Sequence, residues 1–192
     1  GETIPEIKFS ALERYRHSDN DDPFESLLSE NFIATSSVMF RKQAVSSVEY
    51  PCASLNKGPW DRQLWLRIAH RYPVKMIREV LVWKYTSPVT LFNRQNYAAL
   101  QYLGWLEAYK YFSDVSPSCR KKIRYNISRA AYTSARYHLS ACEPCMFRKY
   151  LREAVRFDLN YMARQPYCCL YILPDIMINL LRKIKGKYFS PR

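Results

Sequence analysis

Residues 59–73 read Pro59-Trp60-Asp61-Arg62-Gln63-Leu64-Trp65-Leu66-Arg67-Ile68-Ala69-His70-Arg71-Tyr72-Pro73. Asp61 stands where a helix should start. Leu64, Trp65, Ile68, Ala69 and Tyr72 follow at helical spacing and define an apolar stripe, with Arg62, Gln63, Arg67, His70 and Arg71 mostly on the other side. Pro73 cannot continue the helix, so the element is about three turns long. A carboxylate is thereby held at the mouth of a helix with a buried face. As an N-cap, Asp61 accepts a hydrogen bond from a free first-turn N–H, worth about 1 kcal/mol.

Working outward, Phe32-Ile33-Ala34-Thr35-Ser36-Ser37-Val38-Met39-Phe40-Arg41 precedes this helix. Its β-branched and aromatic content predicts a buried strand over Phe32–Phe40, with Ser36 and Ser37 as small residues within it. A loop containing Tyr50-Pro51 and Gly58-Pro59 follows. After the helix come two short apolar runs, Val74–Ile77 and Val80–Tyr85.

This order of strand, loop, acidic helix start and apolar pair resembles the inverting family-2 glycosyltransferases, with Thr35–Arg41 and Leu64–Ala69 carrying the match and Asn31–Thr90 its extent. The resemblance implies an α/β chain: residues 1–93 as the acceptor-side, C-terminal half of a GT-A-type fold, with short mixed strands plus helix, and residues 94–192 as a helical extension. It implies an enzyme transferring a sugar from a nucleotide-sugar to a glycan or lipid-linked acceptor in bacterial cell-surface polysaccharide assembly. Asp61 takes the place of the catalytic general base. Ser36 and Ser37 would line the acceptor floor, or else serve close backbone packing; Trp60 would stack on a sugar ring; and Arg67 and Lys84 would approach a phosphate or else sit on the surface. Two positions depart from the family pattern. Trp60 stands where an acidic residue usually precedes the catalytic Asp, and Thr86 stands where a His lies near the metal and diphosphate in some members.

A divalent metal, manganese or magnesium, is expected in the complete enzyme and none from this chain alone. Asp19-Asn20-Asp21 matches the family's Asp-x-Asp metal motif as text. That motif should end a buried apolar strand, and Arg14-Tyr15-Arg16-His17-Ser18 is not one. Asp22 instead predicts an N-cap, with Pro23 at the first helical position, Glu25 in the first turn, and Phe24, Leu27 and Leu28 facing a core. Few residues precede Phe32, which leaves no room for a nucleotide-binding half. The chain therefore reads as the C-terminal part of such an enzyme.

Composition narrows the alternatives. The 192 residues carry a net charge of +13 and only four glycines, with no Gly-rich nucleotide loop. That charge suits polyanionic partners: an acidic membrane surface, a diphosphate or nucleic acid. Nucleic acid is the weakest of these, since no zinc-finger spacing or RNP-like aromatic motif accompanies the charge. The six cysteines include one Cys-x-x-Cys, Cys142–Cys145, without a second pair to complete a zinc site. Six reduced thiols, and an opening without a basic start and apolar run, predict a cytoplasmic chain, peripheral at the inner face of the membrane.

From Leu91 onward the pattern is helical. Stripes run through Tyr97, Leu100, Leu103, Leu106 and Tyr109; through Ile123, Ile127, Ala130, Ala131, Ser134 and Tyr137, begun after Asp114–Pro117; and through Phe147, Tyr150, Leu151, Ala154, Val155 and Leu159, opened by Glu143-Pro144. Antiparallel helices are predicted. Ile176–Phe189 sets apolar residues beside Arg182, Lys183, Lys185 and Lys187, a composition that serves equally for an interfacial helix on an anionic leaflet or for a last bundle helix with a solvated basic tail. The class alternative to the enzyme is a non-catalytic basic helical module docking on a membrane or protein partner.

Overall fold

The computed structural model describes residues 22–33, 35–49, 60–75, 77, 97–141 and 143–168. Of these, 75% are helical and none lies in a strand. The described part is all-α, which overturns the α/β, GT-A-type expectation. The chain divides into two compact units: residues 1–50 with 64–83, and residues 51–63 with 84–192.

In the first unit, α1 spans Pro23–Ser29. The expected start is borne out: the Asp22 carboxylate accepts from the Phe24 N–H at 2.9 Å, and Pro23, whose missing N–H costs nothing there, opens the helix. Phe24, Leu27 and Leu28 are buried. Among the described residues of Phe32–Phe40 the predicted strand does not form. Thr35–Ser37 form a short 3-10 turn, Val38–Phe40 are irregular, and Met39 is 97% exposed. β-Branched composition gives a strand only when a neighbour takes its backbone hydrogen bonds, and the described residues supply no strand. Thr and Ser hydroxyls meanwhile favour local turns. Val74 and Lys75 are likewise irregular and Ile77 is exposed; Val80–Tyr85 lies outside the described residues. A short α2, Lys42–Ser46, follows.

The helix α3, Trp60–Arg71, forms as expected. Its start is one residue earlier than predicted, so Asp61 is a first-turn acid rather than the cap. Its polar side is also not where the pattern put it: Arg62, Gln63 and Arg67 are buried together with Leu64, Trp65, Leu66 and Ile68, while Tyr72 is exposed. Up to Gln63 the helix belongs to the second unit and from Leu64 to the first. Within the first unit, Arg67 donates to the Glu49 carbonyl, Arg71 donates to the Ser47 carbonyl at 2.7 Å, and the Phe24 and His70 rings meet at 5.0 Å.

The second unit is a bundle of sequential helices: α4 (Tyr97–Tyr111), α5 (Pro117–Ser140), α6 (Pro144–Phe157) and α7 (Leu159–Ala163). Ser116 caps α5 through the Cys119 N–H at 3.2 Å. The helix α5 packs against both α4 and α6. Contacts run Arg120 to Tyr109, Ser128 to Ala154 and Arg124 to Phe157, so α5 is antiparallel to both neighbours, as predicted. The α5 stripe is buried at Ile123, Ile127, Ala130, Ala131 and Ser134. The α6 stripe is buried at Phe147, Leu151 and Ala154, but Leu159 falls in α7 and is 63% exposed. The α4 stripe is wrong by a rotation: Tyr102, Trp105 and Ala108, continued by Phe112, are buried, and Leu103 is exposed. This helix is apolar around its circumference, so period alone cannot choose its buried face.

Phe147 is fully buried. Phe147→Ala is expected to destabilise the second unit by about 3–5 kcal/mol through lost burial and a residual cavity. In a thermal melt that is a fall of roughly 10 °C or more for a domain of this size. An unchanged melt would show that α6 is not part of a cooperative core.

Aromatic side chains tie the bundle laterally. The Tyr102 hydroxyl donates to Glu153 Oε2 at 3.1 Å, its ring meets Tyr150 edge-on at 5.6 Å, and Tyr150 stacks on His138 at 5.2 Å. Burial pushes the phenols of Tyr97, Tyr102, Tyr132, Tyr150 and Tyr161 up, and the Glu153 carboxylate adds to the effect at Tyr102. Tyr109 goes the other way, lowered first by a side-chain hydrogen bond from Arg120, whose guanidinium carbon lies 3.8 Å from the Tyr109 ring centroid. For the raised phenols the folded state holds protons that the unfolded chain releases near pH 10. Their contribution to stability is therefore present below about pH 10 and is lost as the pH rises above it. Phenolate absorbance and helical circular dichroism, titrated together, should show these five tyrosines ionising as the helix signal collapses. Full ionisation with the helices intact would contradict it.

Candidate functional site

The first turn of α3 carries Asp61, half-buried, with its Oδ1 accepting from the Arg62 N–H at 2.7 Å. An acid in the first turn lies at the positive end of the helix dipole. The next side chain, Arg62, is buried with its guanidinium carbon 4.5 Å from the Trp105 ring centroid. Stacking on an indole is a favourable way to bury a weakly hydrated guanidinium.

The first turn of α4 brings a second polar group to the same place. Gln101 donates through Nε2 to the Tyr97 hydroxyl. Burial raises the Tyr97 phenol most, the Gln101 bond opposes this, the Asp61 carboxylate adds to the rise, and the Arg62 cation counters it. A carboxylate, a phenol held neutral by burial, an amide and a cation thus lie near one another in the second unit, the cation over the Trp105 ring. The set can accept a proton, donate hydrogen bonds and offer an aromatic face, which is the equipment for holding a hydroxylated ligand.

The expected site residues fall in different settings. Asp61 stands at this cluster, and Trp60 opens the same helix. Ser36 and Ser37 are exposed in the 3-10 turn of the first unit. Arg67 also belongs to the first unit and is 2% exposed, with its guanidinium on the Glu49 carbonyl. Lys84 and the Asp19-Asn20-Asp21 triplet lie outside the described residues. Among the described residues no three His, Cys, Asp or Glu side chains gather as a metal-binding set, so the divalent ion implied by the resemblance has no ligand group there. Cys119, Cys145 and Cys168 form no disulfide. Sequence reasoning missed Tyr97 and Gln101 as neighbours of Asp61. Their i, i+4 spacing on α4 was visible, but their proximity to α3 was not.

No family model matches the chain, and no curated protein or solved structure is significantly similar to it. Among the described residues no helix is long and apolar enough to cross a membrane.

Proposed function

We propose that this chain is the acceptor-side part of an inverting sugar transferase, with Asp61 as the general base. One observation carries the reading: Asp61 is a half-buried carboxylate held on the first turn of a buried helix, beside the Tyr97 phenol and the Arg62 cation. The residue matches at Thr35–Arg41 and Leu64–Ala69 support it, and the all-α architecture means that it does not rest on fold.

The chemistry needs little from the chain. Asp61 takes the proton from an acceptor hydroxyl, whose oxygen attacks the anomeric carbon of the nucleotide-sugar. The bond from that carbon to the nucleoside diphosphate breaks, and the configuration inverts. Tyr97 and Gln101 orient hydroxyls of the acceptor. On this reading the protein works in the cytoplasm, against the inner face of the membrane, on a glycan or lipid-linked acceptor.

The test is transfer from UDP- and GDP-linked sugars to a lipid-linked glycan by the full-length protein that carries this chain. The expected result is release of nucleoside diphosphate that depends on the acceptor, with product of inverted anomeric configuration. A retained configuration, or no transfer with any donor, would exclude the reading.

A further inference from the structure

We propose that the corner where α6 turns into α7 is a docking face for an anionic lipid surface. This stands apart from the transfer reading and is tested without any activity. The corner frames an open cleft of about 390 Å³ lined by Lys121 and Arg124 from α5 and by Phe157, Asp158, Leu159 and Asn160. Lys121 and Arg124 are exposed and one turn apart. Arg124 donates through Nε to the Phe157 carbonyl at 3.1 Å, which ties its guanidinium to the corner. Leu159, 63% exposed, presents an apolar side chain beside these cations. Arg156 adds a third, its side chain 73% exposed and its guanidinium carbon 5.9 Å from the Phe157 ring.

Two charges could cancel this field. The Asp158 carboxylate accepts the Tyr161 N–H at 2.9 Å and is engaged in capping α7. Glu153 lies 3.8 Å from Arg156 and also accepts from Tyr102. Lys121, Arg124 and Arg156 against these two carboxylates leave the corner one positive charge in excess.

An exposed apolar side chain beside cations is an arrangement that suits a leaflet interface. The leucine enters the acyl boundary while the cations meet headgroup phosphates. A nucleic-acid strand uses the cations but gains nothing from an exposed leucine, since its bases need flat faces to stack on. The apolar member of the patch therefore decides the partner class.

The experiment is sedimentation of the full chain with phosphatidylcholine vesicles, with and without phosphatidylglycerol. Binding is expected only to the anionic vesicles and should weaken with salt. Leu159→Asp should lower the partition at least about tenfold, and Lys121→Glu about fivefold or more. Both positions are exposed, and circular dichroism will confirm that the variants stay helical. Equal binding to neutral vesicles, or wild-type partition by Leu159→Asp, would overturn the proposal; the latter would assign any membrane affinity to other basic segments. Single-stranded RNA bound equally by wild type and Leu159→Asp, without vesicle binding, would identify the corner as a nucleic-acid contact instead.

Discussion

Asp61→Asn should fold like the parent and lose sugar transfer by roughly 10²–10⁴-fold, the usual contribution of a positioned general base. The substitution is nearly isosteric, and an amide oxygen can still accept the Arg62 N–H that the carboxylate now holds at 2.7 Å. What it removes is the capacity to take a proton. It also removes a negative charge from the first turn of α3, which costs about 0.3–1 kcal/mol of helix stability. The two roles separate cleanly in measurement. A base mutant keeps its fold and acceptor affinity, melts at most slightly lower, and loses turnover. If Asp61 serves only the helix, transfer survives at the wild-type rate and stability alone falls slightly. Wild-type turnover by Asp61→Asn would remove this residue from the mechanism.

Arg67→Ala is expected to destabilise the first unit by about 3 kcal/mol, within the range for deleting a long buried side chain together with its hydrogen bonds. Arg67 is 2% exposed, and its guanidinium holds the Glu49 carbonyl. Truncation leaves that carbonyl without this donor and leaves a void where the stem packed. Lysine should recover only part of the loss, because an ammonium group cannot reproduce the planar fork of donors. Hydrogen exchange of the α3 amides reads the effect locally, as faster exchange in Arg67→Ala. The alternative, a phosphate contact, makes a different forecast: native protection in the helix and weakened binding of nucleotide-sugar. The burial of Arg67 favours the first outcome.

The sequence was most readable where one face of a helix is polar. The α5 and α6 stripes could be placed because arginines and lysines mark the outside, as at Lys149, Arg152 and Arg156, which are all exposed. Caps were readable for the same local reason: Asp22 and Ser116 need only their own next turn. The failures are all tertiary. Nothing in the one-dimensional pattern of α4 distinguishes Leu103 from Tyr102, since both sides of the helix are apolar. Arg62 and Arg67 look like solvent-facing residues until one sees the Trp105 ring and the Glu49 carbonyl that receive them. The Phe32–Phe40 run has strand composition, but a strand exists only as one member of a pair. Of the site, Asp61 at its helix start was legible, whereas its meeting with Tyr97 depends on how two helices pack.

The connections within the bundle have a kinetic consequence. Residues 112–116 separate α4 from α5, 141–143 separate α5 from α6, and Asp158 alone separates α6 from α7. Each helix therefore meets its partner by closing a loop of only a few residues, and such chains fold in microseconds to milliseconds. The first unit is different: Phe24 must find His70 across a long intervening segment. Loop-closure entropy comes before any contact rewards it, so this pairing is the slower event. In a refolding experiment the helices from Tyr97 onward should gain amide protection first, with α1 and the C-terminal turns of α3 following as a separate phase.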